Sequence, residues 1–180
     1  MMSRVPRPLT LFLLTVVLVL LGLALRIGLP IYKQQIAIRE VRRLGGHVST
    51  SVYGPAWLVS HLPNGCVDAL GTACKVHLAN PEVTDAETVI LEPLTNLRFL
   101  SLHGTQVSDS GLACLGRMSS LEDLDLSRTQ ITEVGLRNIE DLKRLRRLYV
   151  HSTLVKKAYL RELVQRRPGL EVYANGDIYK

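Results

Sequence analysis

The side chains best suited to chemistry are three histidines in the C-terminal part of the chain. His77, His103 and His151 would suit a metal ion or proton transfer if they met on one surface, with Asp125 beside them. The repeat described below puts each histidine on a different strand, so His77 and His151 would stand roughly 14 Å apart, too far to share an ion. His103 and His151 would be separated by the strand that carries Ser127. We therefore expect no metal centre and no acid–base cluster among them.

A second possible metal set contains His61, Cys66, Cys74 and His77, but its spacing matches no common zinc pattern. Strand alternation also places Cys74 with core-facing Val76, whereas His77 points the other way. A Cys66–Cys74 disulfide stays possible if the domain is exported. The sequence contains no glycine-rich phosphate loop, no H-E-x-x-H and no G-x-S-x-G. We therefore expect a non-catalytic protein without catalytic residues, metal or cofactor.

The positive charge of the chain is concentrated at its N-terminal end. The 180 residues carry a formal charge of +6, but residues 1–45 contain seven Lys/Arg and one Glu, and residues 46–180 contain equal numbers of both signs. A nucleic-acid-binding domain would need the excess on its globular part, so we expect no nucleic-acid partner. Basic residues around an apolar stretch are instead typical of a membrane segment.

That apolar stretch is long enough to span a lipid bilayer. Residues 9–25 carry no charge, and the span extends over residues 9–32 if Arg26 snorkels. We expect residues 9–32 to be a transmembrane anchor after a tail of residues 1–8. The alternative is a signal peptide cleaved near Gly22-Leu23-Ala24. Charges on both flanks leave open which side of the membrane the remaining domain faces.

Residues 33–46 are expected to form a juxtamembrane helix. Ile36, Val41 and Leu44 would share one face of this helix, and Gly45-Gly46 would end it. We expect it to act as a polar stalk between the membrane and the domain.

A repeat of 24 residues organises the rest of the chain. Three sets of aliphatic residues recur at this interval: Val76, Leu100, Leu124 and Leu148; Leu78, Leu102, Leu126 and Val150; and Val83, Val107, Ile131 and Val155. The clearest copies are LRFLSLHGTQVSDSGLACLGRMSS and LEDLDLSRTQITEVGLRNIEDLKR, flanked by a degenerate copy from Ala73 and a later copy from Leu145. A fixed period of this length indicates stacked supersecondary units.

The pattern L-x-x-L-x-L-x-x-T-x-V/I resembles the leucine-rich repeat family, in a subtype with threonine at the usual asparagine or cysteine position. Small bacterial leucine-rich repeat proteins with one N-terminal transmembrane helix are similar in the order of their segments. Gly45-Gly46 and Pro55-Ala56-Trp57-Leu58 fit the segments that precede the repeats in those proteins. The resemblance implies a protein-binding architecture and a single-pass protein of the bacterial inner membrane.

Each repeat also predicts its own local structure. Alternating apolar residues indicate a strand with one buried face, and Thr105, Thr129 and Thr153 follow where a hydroxyl can bond the bending backbone. Helix N-caps are expected at Thr84, Ser108 and Thr132, each before a short helix. We expect Gly111 and Gly135 to let these helices lie close to the strands. Stacking then buries the leucines that one unit cannot cover alone.

The expected fold is therefore α/β: a short leucine-rich repeat solenoid with parallel strands on the concave side and short helices on the convex side, behind the N-terminal transmembrane helix. Residues 47–72 are assigned to an N-terminal cap and residues 73–180 to the repeats and the C-terminal cap. Residues 47–54 are predicted to add an edge strand, and Trp57 to pack in the cap. After Pro168-Gly169, a final strand or cap is expected at Leu170–Val172.

Residues between the buried leucines are expected to form a concave, partner-binding face. We predict contacts with an unknown protein partner through aromatic, acidic and basic side chains, namely Phe99, His103, Asp123, Asp125, Arg147 and Tyr149. The acidic excess of residues 68–125 and the basic excess of residues 137–167 leave self-association open. Two other functions stay open: a ligand-binding sensor at the cell envelope, and a self-associating structural membrane protein.

Overall fold

The computed structural model describes residues 7–51, 61 and 71–180. The chain divides into two compact units, residues 1–33 and residues 34–180, and helix α1 (Arg7–Arg43) contributes to both. In the first unit, the large apolar side chains of α1 from Leu11 to Leu25, and Leu29, are exposed. Among the described residues, α1 is the one helix long and apolar enough to cross a membrane, a property that a signal sequence shares.

The second unit is built on one seven-stranded sheet whose strands follow chain order. The strands are β1 (His47–Ser51), β2 (Thr72–His77), β3 (Phe99–Ser101), β4 (Asp123–Asp125), β5 (Arg147–Tyr149), β6 (Glu171–Ala174) and β7 (Asp177–Tyr179). Strands β2 to β6 are parallel, and β1 and β7 each add an antiparallel edge. The helices are α2 (Asp85–Thr88, continued by a 3-10 turn over Val89–Leu91), α3 (Asp109–Leu115), α4 (Glu133–Arg137) and α5 (Lys157–Arg166).

The 24-residue period sets the register of the parallel strands. Leu100 pairs with Leu124, and Leu124 with Leu148, so each strand places its leucine directly beside the previous one. All three are completely buried, in the same cluster as Leu112 and Leu136 from the helices. The mixed α/β architecture is therefore a stack of strand–turn–helix units around one continuous core.

A threonine hydroxyl closes the turn after each of three strands, as the repeat predicts. Thr105 donates to the carbonyl of Leu102 at 2.8 Å, and Thr129 donates to that of Leu126 at 2.5 Å. Thr153 makes the equivalent bond at 3.0 Å. Because Thr105 and Thr129 are buried, the hydroxyls satisfy backbone carbonyls that water does not reach.

At two of the helix starts, an aspartate forms a contact with the helix start of the next repeat. The Asp85 carboxylate accepts hydrogen bonds from the backbone N–H and the hydroxyl of Ser108, at 2.7 and 2.5 Å. Asp109 accepts the same pair from Thr132, at 2.8 and 2.6 Å. We call these contacts the carboxylate clamps. Ser108 and Thr132 also act as the predicted N-caps, since their hydroxyls accept from residues two positions later.

The repeat glycines make room for these clamps, which corrects our expectation that they let helices approach the strands. A Cβ on Gly111 would stand 2.6 Å from Asp85 Oδ1, and one on Gly135 would stand 2.3 Å from Asp109 Oδ1. Glycine is therefore required because the aspartate of the preceding repeat occupies that space.

Both ends of the clamp series replace this glycine. In the first copy the position holds Glu87, whose carboxylate accepts from the backbone N–H and the hydroxyl of Thr84, both at 2.7 Å. These hydrogen bonds hold the pKa of Glu87 below its ordinary value. In the last copy the position holds Tyr159, whose hydroxyl donates to Glu140. The first copy is thus satisfied by a side chain of its own, whereas the last copy uses Glu140 and Glu133 of the preceding copy, since Glu133 accepts from the Lys156 N–H at 3.0 Å.

The end of α1 belongs to the folded second unit, which corrects the expectation of a polar stalk. Ala37, Ile38 and Val41 are buried in the core cluster, whereas Ile36, expected to share a face with Val41, is 46% exposed. The helix ends before Gly45, which adopts a left-handed φ of +80°.

Strands lie at both positions where the sequence predicts them in the caps. Strand β1 lies within the edge strand expected at residues 47–54, and β6 begins within the strand expected at 170–172. The Pro55-Ala56-Trp57-Leu58 segment and Cys66 lie outside the described residues.

The clamp geometry predicts a specific cost for filling the glycine position. Gly135→Ala should destabilise the second unit by about 2 kcal/mol, because the new Cβ displaces Asp109 from the Thr132 donors. Guanidinium unfolding of the full chain in detergent, followed by circular dichroism, measures this. Val134→Ala, on the same helix but 61% exposed, is the control and should change little. In an Asp109→Ala background the cost should shrink, and an undiminished cost would contradict the clamp.

Candidate functional site

The exposed face of the sheet consists of the strand residues that alternate with the buried leucines. Strand register aligns its first column as Lys75, Phe99, Asp123, Arg147 and Glu171, and its second as His77, Ser101, Asp125, Tyr149 and Tyr173. We call these two columns, with His103, Ser127 and His151 just beyond the strands, the open face. All six side chains predicted to bind a partner lie on it.

An ion pair dominates the first column. The Arg147 guanidinium donates to both carboxylate oxygens of Asp123, and the Arg147 Nη2–Asp123 Oδ2 distance is 2.6 Å. This bidentate contact raises the pKa of Arg147. Phe99 lies on the far side of Asp123 and contacts the His77 ring with centroids 4.6 Å apart. The first column therefore presents one fixed charge pair beside Phe99, whose ring pairs with His77 of the second column.

Two stacked tyrosines form the aromatic part of the second column. The rings of Tyr149 and Tyr173 lie 4.7 Å apart at an angle of 17°. The Tyr173 hydroxyl donates to Glu171 at 2.7 Å, which raises the pKa of Tyr173. Lys180 first, and then Tyr173, lowers the pKa of Glu171. These contacts hold both rings in place, so Tyr149 presents an ordered aromatic surface.

The Asp125 carboxylate is engaged by the turn that follows its strand. One carboxylate oxygen accepts from the Ser127 N–H at 2.9 Å. The other lies 3.4 Å from the Ser101 hydroxyl and 3.9 Å from His103 Nδ1. His151 is engaged elsewhere, because its Nδ1 accepts from the backbone N–H of Asn175 at 2.8 Å. Within residues 7–51, 61 and 71–180, no three His, Cys, Asp or Glu side chains are grouped to hold a metal ion.

The structure groups the six predicted residues into separate contacts. Asp123 meets Arg147, and His103 approaches Asp125, whereas Phe99 and Tyr149 pair with rings outside the set. Sequence reasoning missed Glu171 and Tyr173, although each lies 24 residues after a predicted residue. That spacing was the available signal, and it went unused because the fifth parallel strand was treated only as a cap.

Cys74 lies at an irregularity that strand alternation does not predict. The pairing of β1 with β2 shifts between Ser49 and Thr50, which leaves Cys74 as the extra residue of a bulge. Ala73 and Val76 are buried instead, and the half-buried Cys74 thiol donates to the Ser49 carbonyl at 3.2 Å. The expectation that Cys74 shares the core with Val76 is therefore wrong.

A second ion pair borders the open face at the start of the strands. Arg98 Nε and Nη2 each donate to a carboxylate oxygen of Glu122 at 2.9 Å. This contact, and more weakly the charges of Arg146 and Arg144, keeps the pKa of Glu122 below its ordinary value of 4.5. Like the pair in the first column, it joins two residues one repeat apart.

Fold and site together define a mixed α/β repeat protein whose open face carries paired charges and ordered aromatic rings. No protein-family model matches the chain, and no curated protein matches it. Among solved structures, the crystal structure of the internalin InlF from Listeria monocytogenes is similar, with a TM-score of 0.38 and 18% identity. That match covers 57% of this chain and 34% of the internalin chain. The strand register and the carboxylate clamps, rather than that likeness, define this fold.

The Arg98–Glu122 pair predicts how Glu122 should titrate. In Arg98→Gln the pKa of Glu122 should rise toward its ordinary value, because the first cause of its lowering is removed. Carboxyl chemical shifts in NMR spectra of the full chain, recorded across the acid range, follow this titration. The wild type gains stability from the pair above pH 4.5 and loses it as the pH falls through the lowered pKa.

Arg146→Gln is the matched control for this prediction and should raise the same pKa less. An equal rise in both variants would show that long-range charge, rather than the bidentate contact, sets the titration of Glu122.

Proposed function

We propose that this chain is a membrane-anchored, non-catalytic leucine-rich repeat module that binds a protein partner through its open face. The observation that carries the proposal is the alignment of Phe99, Arg147 and Tyr149 on one exposed sheet face. Aromatic and arginine side chains are the types that dominate binding energy at protein interfaces. The stacking of Tyr149 and the ion pair of Arg147 reduce the side-chain entropy that binding would cost.

The anchor gives this module its cellular setting. Residues 9–32 would hold the domain at the surface of a bilayer, in keeping with the resemblance to single-pass proteins of the bacterial inner membrane. Confinement to a membrane raises the effective concentration of the domain toward partners on the same surface. Modest contacts across the open face therefore suffice for function.

Electrostatic head-to-tail association receives less support from the contacts. The acidic excess of the early repeats would have to be available to a second molecule. Asp85 and Asp109 are engaged in the carboxylate clamps, and Glu122 and Asp123 in ion pairs. These groups are already satisfied within the fold, which favours a different partner over a second copy.

Photo-cross-linking tests the binding face. With p-benzoylphenylalanine in place of Tyr149, cross-linking in cells should give a discrete protein adduct, because this ring is expected to contact the partner. The same residue in place of Arg161, which is exposed on α5, is the matched control and should give none. Adding Phe99→Ala should reduce the Tyr149 adduct about fivefold, the effect of losing one strong interface contact. Identical adducts from both positions, or no adduct from either, would refute open-face binding.

Membrane extraction tests the anchor. The full 20.0 kDa chain should stay in the membrane pellet after an alkaline carbonate wash. Leu13→Arg/Leu18→Arg should release it, since each buried arginine costs about 3 kcal/mol in a bilayer. Val134→Arg/Leu154→Arg, which alters exposed apolar residues of the second unit, is the matched control and should leave it in the pellet. A soluble product lacking residues 1–24 would instead identify a signal peptide.

A further inference from the structure

A recessed strip runs across the starts of the parallel strands at one border of the open face. It consists of three adjacent depressions of about 420, 540 and 430 Å³, and Glu122 lines all three. We call it the edge strip; its charged residues are Lys75, Arg98, Glu122, Asp123, Arg144, Arg146, Arg147, Glu171 and Lys180. It includes the first column of the open face, and it meets the Tyr149–Tyr173 stack where Glu171 accepts from the Tyr173 hydroxyl.

Every carboxylate in the edge strip is neutralised by a cation of the strip. Glu122 pairs with Arg98 at 2.9 Å, and Lys180 pairs with Glu171 at 2.8 Å. Asp123 is held by Arg147 through two hydrogen bonds. Among the described residues, the strip therefore presents no unpaired anion, although three of its nine charged residues are acidic.

Three cations of the edge strip remain without an ion pair. Lys75, Arg144 and Arg146 are exposed, and none has a carboxylate within 4.0 Å among the described residues. Arg146 and Arg144 act on Glu122 only at longer range, where they help to lower its pKa. The strip thus carries a surplus of three positive charges, spread from β2 to the residues that lead into β5.

We propose that the edge strip binds an extended acidic segment of a protein partner, an inference that rests on the proposed function and specifies its ligand. The distance from β2 to β5 is about 14 Å, which corresponds to about four residues of an extended chain. Carboxylates along such a segment would meet Lys75 at one end and Arg144 with Arg146 at the other. Polar donors on Thr72, Asn96 and Ser120 line the 540 Å³ depression together with Arg144 and suit a peptide backbone.

The shape and the fixed charges of the strip argue for this ligand over two others. A bilayer surface requires protruding basic side chains, whereas these cations line recesses. A nucleic-acid backbone would place phosphates against Glu122, Asp123 and Glu171, which repel them. A short acidic peptide avoids both problems, because its side chains can enter the recesses one at a time.

Peptide binding tests the proposal directly. The probe is a fluorescein-labelled octaglutamate peptide, titrated with the full chain in neutral detergent micelles and followed by fluorescence anisotropy. We expect saturable binding that weakens with salt. Arg144→Gln/Arg146→Gln should weaken it about five- to tenfold, the effect of losing two exposed charge contacts. Neither arginine makes an ion pair, so this variant should keep the wild-type circular dichroism spectrum.

A charge-matched variant makes the test selective. Arg137→Gln/Arg161→Gln removes two exposed arginines that do not line the strip, and it should bind octaglutamate within about twofold of wild type. Equal weakening in the two double variants, or no binding by wild type, would overturn the proposal. The proposal would also be overturned if binding of anionic phospholipid vesicles required Arg144 and Arg146 while binding of the peptide did not.

Failure of the edge strip and failure of the proposed function can be told apart. If octaglutamate does not bind but the cross-link from position 149 persists, the open face binds a partner and only the acidic ligand is wrong. If octaglutamate binding depends on Arg144 and Arg146 and no cross-link forms, the edge strip binds acidic peptides and the aromatic part of the open face is not the docking surface.

Discussion

The structure depends on one constraint: a unit of 24 residues, with leucines on both its strand and its helix, cannot cover its own apolar surface. Parallel pairing at a constant offset solves this, since Leu124 is covered by Leu100 on one side and Leu148 on the other. Main-chain bonds enforce the same offset, as when the Leu102 N–H donates to the Asp125 carbonyl at 2.8 Å. Every column of side chains on the open face follows from that offset.

The carboxylate clamps repeat the same offset on the helix side. Short helices of four to ten residues have little stability of their own, because most of their N–H groups lack partners within the helix. The clamp supplies an acceptor from the preceding repeat, and the glycine three residues after each N-cap leaves space for it. Where no repeat precedes, Glu87 supplies the acceptor from the same helix. Helix capping and repeat stacking are therefore one set of interactions.

Sequence reasoning predicted the parts of the fold that follow from periodicity. The spacing of the leucines predicted the parallel strands, and the hydroxyls of Thr105 and Thr129 lie where the turn required them. The role of Gly135 was not predictable in the same way, because its neighbour Asp109 lies in the preceding repeat and only the register brings them together. The buried end of α1 was missed because its apolar residues, including Ala37 and Ile38, are interspersed with polar and basic residues that suit a solvated stalk.

The candidate site illustrates a different limit of sequence reasoning. The distribution of charge along the chain separates an acidic from a basic part. In the fold, Glu122 and Asp123 each form an ion pair with a residue 24 positions away, and other cations of the surface have no such pair. Asp123 and Arg147 belong to opposite halves by sequence and form one neutral pair in the fold. Ser120 and Pro168 lie one repeat from Arg144, and Glu122, which lies one repeat before Arg146, pairs with Arg98 instead, so both arginines stay available. The net charge that this surface presents thus depends on which charged side chains are paired across the repeat. The amino-acid composition alone does not contain that information.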